Sequence, residues 1–409
     1  MPDEKKRRKI GFWIFLAVIV LLNAALILAM QTQRFADFYC GEIAPRIANA
    51  VGSVMSLIPT AVCEISVAAL VCFGAVFIIL LILLIFLHKR AGYRRFVGGC
   101  FKFTALIAVI SIGGELCYDA AMMKSTPIGQ QQTHDFDDLT ALFNLTMTQI
   151  NTLSAEADRD ENHHLIRRTG EEVRRTIDAS RKKLAADYPR FQYTKPPVPK
   201  TSVFSAVVTK FGDSAYFTKP WHETVFTIKA QRLGTYPSIF SHEYSHYTGY
   251  YREDEANFFA HLLTTQSDDP NVQYAGWIDI IGKLWDAIEL DYFGHPPTDE
   301  DYEDPAFDAY CNSVVPYDDF LLYVGDLSGN YAKYHEEHGE ENVIDEYKKE
   351  AELPEAAAKL IQKQGQKHFE NLHAHLGEHY YDGVVQLLLD YYADQLEPYK
   401  TENLSNEKE

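Results

Sequence analysis

Cysteine is scarce in this chain: six in 409 residues, at positions 40, 63, 72, 100, 117 and 311. No two form a CxxC pair, which excludes a finger-type zinc site built on cysteine. A glycine-rich nucleotide loop and an internal repeat are also missing. Beyond residue 117 the chain is short of basic charge. Residues 118–409 carry 26 Lys+Arg against 51 Asp+Glu, whereas residues 1–117 carry 12 against 6. So acidic a body repels nucleic-acid phosphates and excludes them as partners. With 47% hydrophobic and 23% charged residues, a mainly disordered chain is excluded as well. The length allows two or three domains, and a basic, apolar head on an acidic body is the layout of a membrane-anchored protein.

The head holds three apolar runs. Residues 11–30 carry no charge and only Asn23 as a strongly polar residue, enough for a helix across a hydrocarbon core of ~30 Å. Residues 65–87 form a stronger run. Residues 101–117 form a weaker one, with Lys102, Gly113, Gly114 and Glu115. The first run lacks a small-x-small cleavage site and reads as an anchor in preference to a signal peptide. Lys5, Lys6, Arg7, Arg8 and Lys9 precede it, and His88, Lys89, Arg90, Arg94 and Arg95 follow the second. Basic flanks stay in the cytoplasm. The expectation is a three-helix anchor over residues 1–120, with the loop 31–64 and the body after residue 120 outside. If the third run does not cross, the body is cytoplasmic. Cys40 and Cys63 fall in that outer loop and are candidates for a disulfide, or for two apolar fillers.

The fold expected is mainly α with a small β-sheet: N-terminal transmembrane helices followed by a zincin-like metallopeptidase domain. Residues 121–200 read as a helical connecting region, with apolar spacing over 135–153 and a charged amphipathic stretch over 171–188. The prolines of 195–200 make a breaker. Segments 201–211, 215–217 and 223–230 are β-branched and aromatic and read as short strands. The strand 223–230 is a candidate edge for an extended peptide, or an ordinary core strand. Helices are expected over 239–247 and 253–265. An acidic loop follows over 285–309, then helices to about residue 397, so that 201–398 forms the catalytic domain. Residues 399–409 read as a flexible tail.

The sharpest signal is His242-Glu243-Tyr244-Ser245-His246, an HExxH motif. Residues four apart on a helix share a face, so the two imidazoles can grip one Zn²⁺. Glu243 stands beside the first ligand. There it acts as the general base on water and then returns the proton to the leaving amine. A third ligand is needed. Gly249 is placed to end the helix in a left-handed turn. The chain restarts at Arg252-Glu253-Asp254-Glu255-Ala256-Asn257, where Glu253 and Glu255 are both candidate ligands. The pattern Glu253-x-x-Ala256-Asn257 favours Glu253 and places Asn257 behind the ligands.

The block HEYSHYTGYYREDEANFFAHL resembles the signature of domain-of-unknown-function family 3810, bacterial membrane proteins with a zincin-type motif. The likeness extends to Ser56-Leu57-Ile58-Pro59, the 195–200 proline segment, Tyr274-Ala275-Gly276 and, loosely, Gly383-Val384-Val385. The ExxA[DN] element after HExxH is similar to HtpX-type and ImmA-like metallopeptidases. The resemblance implies a membrane-tethered zinc peptidase of gluzincin character in the bacterial cell membrane. Zinc would be held by His242, His246 and Glu253, with Glu243 catalytic. Tyr244-Ser245 departs from the apolar residues usual in such motifs and suggests a wetter helix.

The expected function is therefore hydrolysis of peptide bonds by a membrane-anchored zinc metallopeptidase with a multi-pass anchor and an extracytoplasmic C-terminal domain. Its partners would be a peptide or protein substrate and the lipid bilayer. The alternative is a catalytically weak sensor or binding protein on a zincin scaffold at the cell envelope. Lesser candidates are His261, read as a packed core histidine in preference to a group approaching the site, the trio His379, Tyr380 and Tyr381 as oxyanion donors, and the acidic stretch 297–308, read as a solvated face in preference to a Ca²⁺ site because its spacing is not that of an EF-hand loop.

Overall fold

A computed structural model describes residues 2–129, 133–210, 214–219, 221–298, 300–339 and 383–401. The chain is mainly helical with one three-stranded sheet. It divides into two compact units. One holds residues 1–47 and 61–126; the other holds 48–60 and the described residues from Pro127 on.

The first unit contains three helices long and apolar enough to cross a membrane: α1 (Pro2–Met30), α4 (Val62–Leu87) and α5 (Ala91–Lys124). Their apolar side chains lie mostly on the outside, as on helices solvated by lipid. The charged and glycine positions of the third run do not interrupt α5. Gly113 is needed there, because a Cβ would collide with the amide of Asn23, which donates to the Val109 carbonyl at 3.4 Å. The segment expected as an outer loop is largely helical: α2 (Gln33–Phe38), a π turn over Tyr39–Ile43 and the start of α3 (Ala44–Met55). Asp37 fastens the end of α5 by accepting from the Thr126 N–H at 2.6 Å and its hydroxyl at 2.7 Å. Cys40 and Cys63 are both buried thiols.

The second unit has one core. Helix α6 (Phe136–Glu156) packs along α11 (Pro270–Phe293). Helix α9 (Tyr236–Tyr247) packs on α10 (Glu253–Thr265), which also meets α11 and α15 (Gly383–Tyr392). The buried side chains follow the helical period: Leu142, Met147 and Ile150 of α6, Phe240 and Tyr244 of α9, Phe259 and Leu263 of α10. The region 121–200, expected as a connector, thus supplies α6 and α7 (Gly170–Leu184) to the core that carries the HExxH helix.

The sheet runs in the order β1 (Lys200–Thr201), β3 (Glu223–Phe226), β2 (Ala215–Thr218). β1 is parallel and β2 antiparallel to β3, with Ala215 opposite Phe226 and Thr218 opposite Glu223. Two expectations are corrected. The strand expected over 201–211 stops after Thr201: Ser202 Oγ accepts from the Phe204 N–H at 3.2 Å, turning the chain into the short helix α8 (Ser205–Lys210). The strand expected over 223–230 ends at Phe226, where Thr227 Oγ1 accepts from the Ala230 N–H at 3.0 Å. β3 is also the central strand and offers no edge to a peptide. The acidic loop begins later than expected, because α11 continues to Phe293. Its Asp301 and Asp304 accept from backbone N–H groups as local caps, and among the described residues of this stretch no group of three carboxylates converges. Residues 340–382 and 402–409 lie outside the described residues.

Residues 48–60 are built into this unit. The Tyr247 hydroxyl donates to the Ala48 carbonyl at 2.7 Å, and Gly52 lies against the Tyr247 ring where a Cβ would collide. Asn49 Oδ1 accepts from the Lys195 N–H at 3.1 Å. Lys200 Nζ donates to the Met55 and Thr60 carbonyls at 3.0 Å each and pairs with Glu223, both side chains being buried.

Candidate metal centre

Pro237 sits in the first turn of α9, where no backbone N–H is required. The helix ends at Gly249, whose φ of +95° is the left-handed turn expected. The Tyr250 N–H closes it by donating to the Ser245 carbonyl at 3.1 Å. Arg252 is extended and α10 opens at Glu253. Ala256, fully buried, lets α10 lie close to α9. This short reversal returns the first turn of α10 to the histidine face of α9.

The structure brings His242, His246 and Glu253 together, with one ligand-type atom from each lying within 4.8 Å of the others. Among the described residues no other group of three or more such side chains converges in this way. The two Nε2 atoms are 3.1 Å apart. Glu253 oxygens lie 3.1 Å from His242 Nε2 and 3.4 Å from His246 Nε2. Both rings are held from behind: His246 Nδ1 donates to the Tyr250 carbonyl at 2.9 Å, and His242 Nδ1 to Asn257 Oδ1 at 3.0 Å. A carbonyl oxygen only accepts, so each Nδ1 carries the hydrogen and each Nε2 presents a lone pair.

Three lone-pair donors then face one another, and only a cation among them relieves the repulsion. The same demand appears in the protonation of the groups. Burial pulls the His242 imidazolium down, but the Glu253 carboxylate, helped by Glu243, outweighs it and pushes His242 up to about 9. Burial would raise Glu253, yet the two imidazoles hold it well below the usual carboxylate range. A proton satisfies one nitrogen; a divalent ion satisfies all three donors. Two imidazoles and a carboxylate with a side open to water are a donor set that suits Zn²⁺. The residues present therefore fit the metal.

Glu243 is buried on α9 beside His242. Glu255 faces away and accepts from the Ile128 N–H at 3.0 Å; burial pushes it up to about 7. His261 belongs to the core, with Nδ1 against the Gly276 carbonyl at 3.1 Å and Nε2 against the Tyr392 hydroxyl at 2.8 Å. The wetter helix suggested by Tyr244-Ser245 is not found. Both residues are fully buried: Ser245 donates to the Ser241 carbonyl at 2.8 Å, and the Tyr244 hydroxyl meets Thr194 Oγ1 at 3.0 Å. His379, Tyr380 and Tyr381 lie outside the described residues.

Three further side chains line up with this face. Ser238, one turn before His242, donates to Asp279 Oδ2 at 2.8 Å, and Lys283 Nζ stands 3.9 Å from the same oxygen. Asp279 and Lys283 come from α11, some forty residues downstream, and no local motif announces them. The backbone carbonyl of Tyr250 has no sequence signal at all.

No curated protein and no solved structure matches this chain. One family does, described as "Protein of unknown function (DUF3810)", over residues 39–291. That span takes in α4, α5, the sheet and both helices of the candidate centre, and the chain belongs to this family.

Proposed function

We propose that the protein is a membrane-anchored zinc metallopeptidase of gluzincin type, acting on peptide or protein substrates at the bacterial cell envelope. The observation that carries this is the convergence of His242 Nε2, His246 Nε2 and the Glu253 carboxylate, with both Nδ1 atoms engaged behind. Zinc bound there supplies a Lewis-acid charge that polarises a carbonyl and acidifies water. The remaining work belongs to the chain. Asn257 and the Tyr250 carbonyl fix the tautomer and orientation of the rings. Glu243 takes a proton from the attacking water and passes it to the departing amine.

The proposed topology is multi-pass with the C-terminal domain extracytoplasmic. Residues 48–60 lie between α1 and α4, and the bulk of the same compact unit follows α5. A hydrogen-bonded unit cannot straddle a bilayer. Crossings between Thr60 and Pro127 therefore come in an even number, and with α4 as one of them this supports α5 as the other. The basic flanks support the outside for that unit.

The deciding experiment is Glu243→Gln. Zinc content of the purified chain is expected to stay at the wild-type level. Processing of membrane or shed proteins, compared in cells carrying either form, is expected to fall roughly 10²–10⁴-fold in rate. Loss of zinc in this variant would make Glu243 structural. Unchanged processing with zinc retained would favour a sensor or binding role.

A further inference from the structure

Exposed aliphatic side chains in the unit that carries the metal centre gather where residues 48–60 meet the sheet. Leu57 is 82% exposed, Val203 60% and Val54 56%. Ile58 and Phe204 are exposed beside them in sequence. Hydrogen bonds hold these segments side by side. The Val198 N–H donates to Ser56 Oγ at 3.4 Å, and Lys200 Nζ to the Met55 and Thr60 carbonyls. The turn at Val203 and Phe204 follows at once. Single exposed aliphatics are ordinary; a group of them marks a surface that something covers.

Chain continuity says what covers it. The Thr60 carbonyl held by Lys200 is two residues before Val62, where α4 begins, and α4 is the most apolar of the three membrane-length helices. Val62 follows Leu57 by five residues, a stretch of chain that spans at most ~18 Å when fully extended. Lys195, eight residues before Val203, and Lys229, three residues after the end of β3, are both exposed and match anionic headgroups. We infer that Val54, Leu57, Ile58, Val203 and Phe204 form a membrane seat that enters the headgroup layer of the bilayer crossed by α4. The inference rests on α4 being a span, as in the proposed function, and on nothing about catalysis. Because Tyr247, next to His246, bonds to Ala48, the metal-site helix is fastened to the seated segment.

The test uses the full chain in nanodiscs of phosphatidylcholine and phosphatidylglycerol. Leu57→Trp and Val203→Trp each add one indole, and Leu290→Trp, on an exposed position of α11, is the control. The reading is the emission added over the parent, with and without lipid brominated high on its acyl chains. A side chain seated ~5–10 Å into the interface is expected to lose about half or more of its added emission, and the control almost none. Unquenched emission at the wavelength of a water-exposed indole, at both positions, overturns the seat. Blue-shifted but unquenched emission with a doubled protein mass assigns the patch to a second copy and overturns it too. Protease protection of tags on either side of α4 reports separately whether α4 spans. Zinc content of the same samples reports on the metal centre, so the two readings fail independently.

Discussion

Asn257 accepts a hydrogen bond from His242 Nδ1 at 3.0 Å, one helical turn beyond Glu253. One turn of α10 thus provides both a ligand-type carboxylate and the group that orients the opposing imidazole. Removing such a partner typically weakens metal binding ~10–100-fold. Asn257→Ala is expected to do so in a chelator competition titration, while Asn257→Asp, which keeps the acceptor, retains tight binding. Equal affinity in all three proteins would show that the ring needs no orienting.

Glu253 and Glu255 separate cleanly. Glu253→Ala is expected to empty the centre, because three donors become two. Glu255→Ala should leave zinc near stoichiometric, since Glu255 is engaged with the Ile128 N–H. Metal analysis of the two purified variants decides it, and the reverse pattern would exchange the two roles.

Lys200 and Glu223 form a buried ion pair that also carries the Met55 and Thr60 carbonyls. Lys200→Met leaves a buried carboxylate without its counter-charge, which costs about 3–5 kcal/mol. A marked drop in Tm of the detergent-solubilised chain is expected. Adding Glu223→Leu removes the stranded charge and should restore a good part of the loss. A double variant less stable than Lys200→Met would contradict the pairing.

His261 gives a pH dependence. Burial pulls it down to about 4, below the ~6.5 of an exposed imidazole. Between those values the unfolded chain binds the proton and the folded chain does not, so stability rises with pH through this window. The contribution is fully present above about pH 6.5 and disappears as pH falls toward 4. It amounts to about 3 kcal/mol. His261→Gln, compared with wild type in Tm across this range, should show a shallower decline on acidification. Parallel curves would mean that His261 does not stay neutral in the fold.

The candidate centre was legible because its determinants are local. His242 and His246 are one turn apart, Gly249 reverses the chain, and Glu253 and Asn257 lie on the next turn: sixteen consecutive residues hold it all. The three helices of membrane-crossing length were legible from their apolar runs; α4 matches to within three residues, whereas α1 starts earlier and α5 is longer at both ends than the runs themselves. The sheet was not. Thr201 and Val203 have the same β-branched character, but Ser202 ends the strand through its own hydroxyl. β3 is central only because Lys200, far back in the chain, pairs parallel to Val225. The inclusion of residues 48–60 in the second unit was equally hidden, since Ala48 and Tyr247 are 199 positions apart.

That separation has a consequence for synthesis. Residues 48–60 leave the ribosome well before the residues that will hold them. At the ~5–20 residues per second of translation, the wait for Tyr247 is roughly 10–40 s. During it α4 and α5 are made as well. The aliphatic segment spends that interval without its protein partners, next to an apolar helix of membrane-crossing length. Under the proposed topology the HExxH helix, made after α4 and α5, can dock only on a segment already delivered to its own side of the bilayer. Assembly of the candidate centre is therefore a late event, and the same topology implies that a chain whose two intervening helices are wrongly threaded cannot complete it.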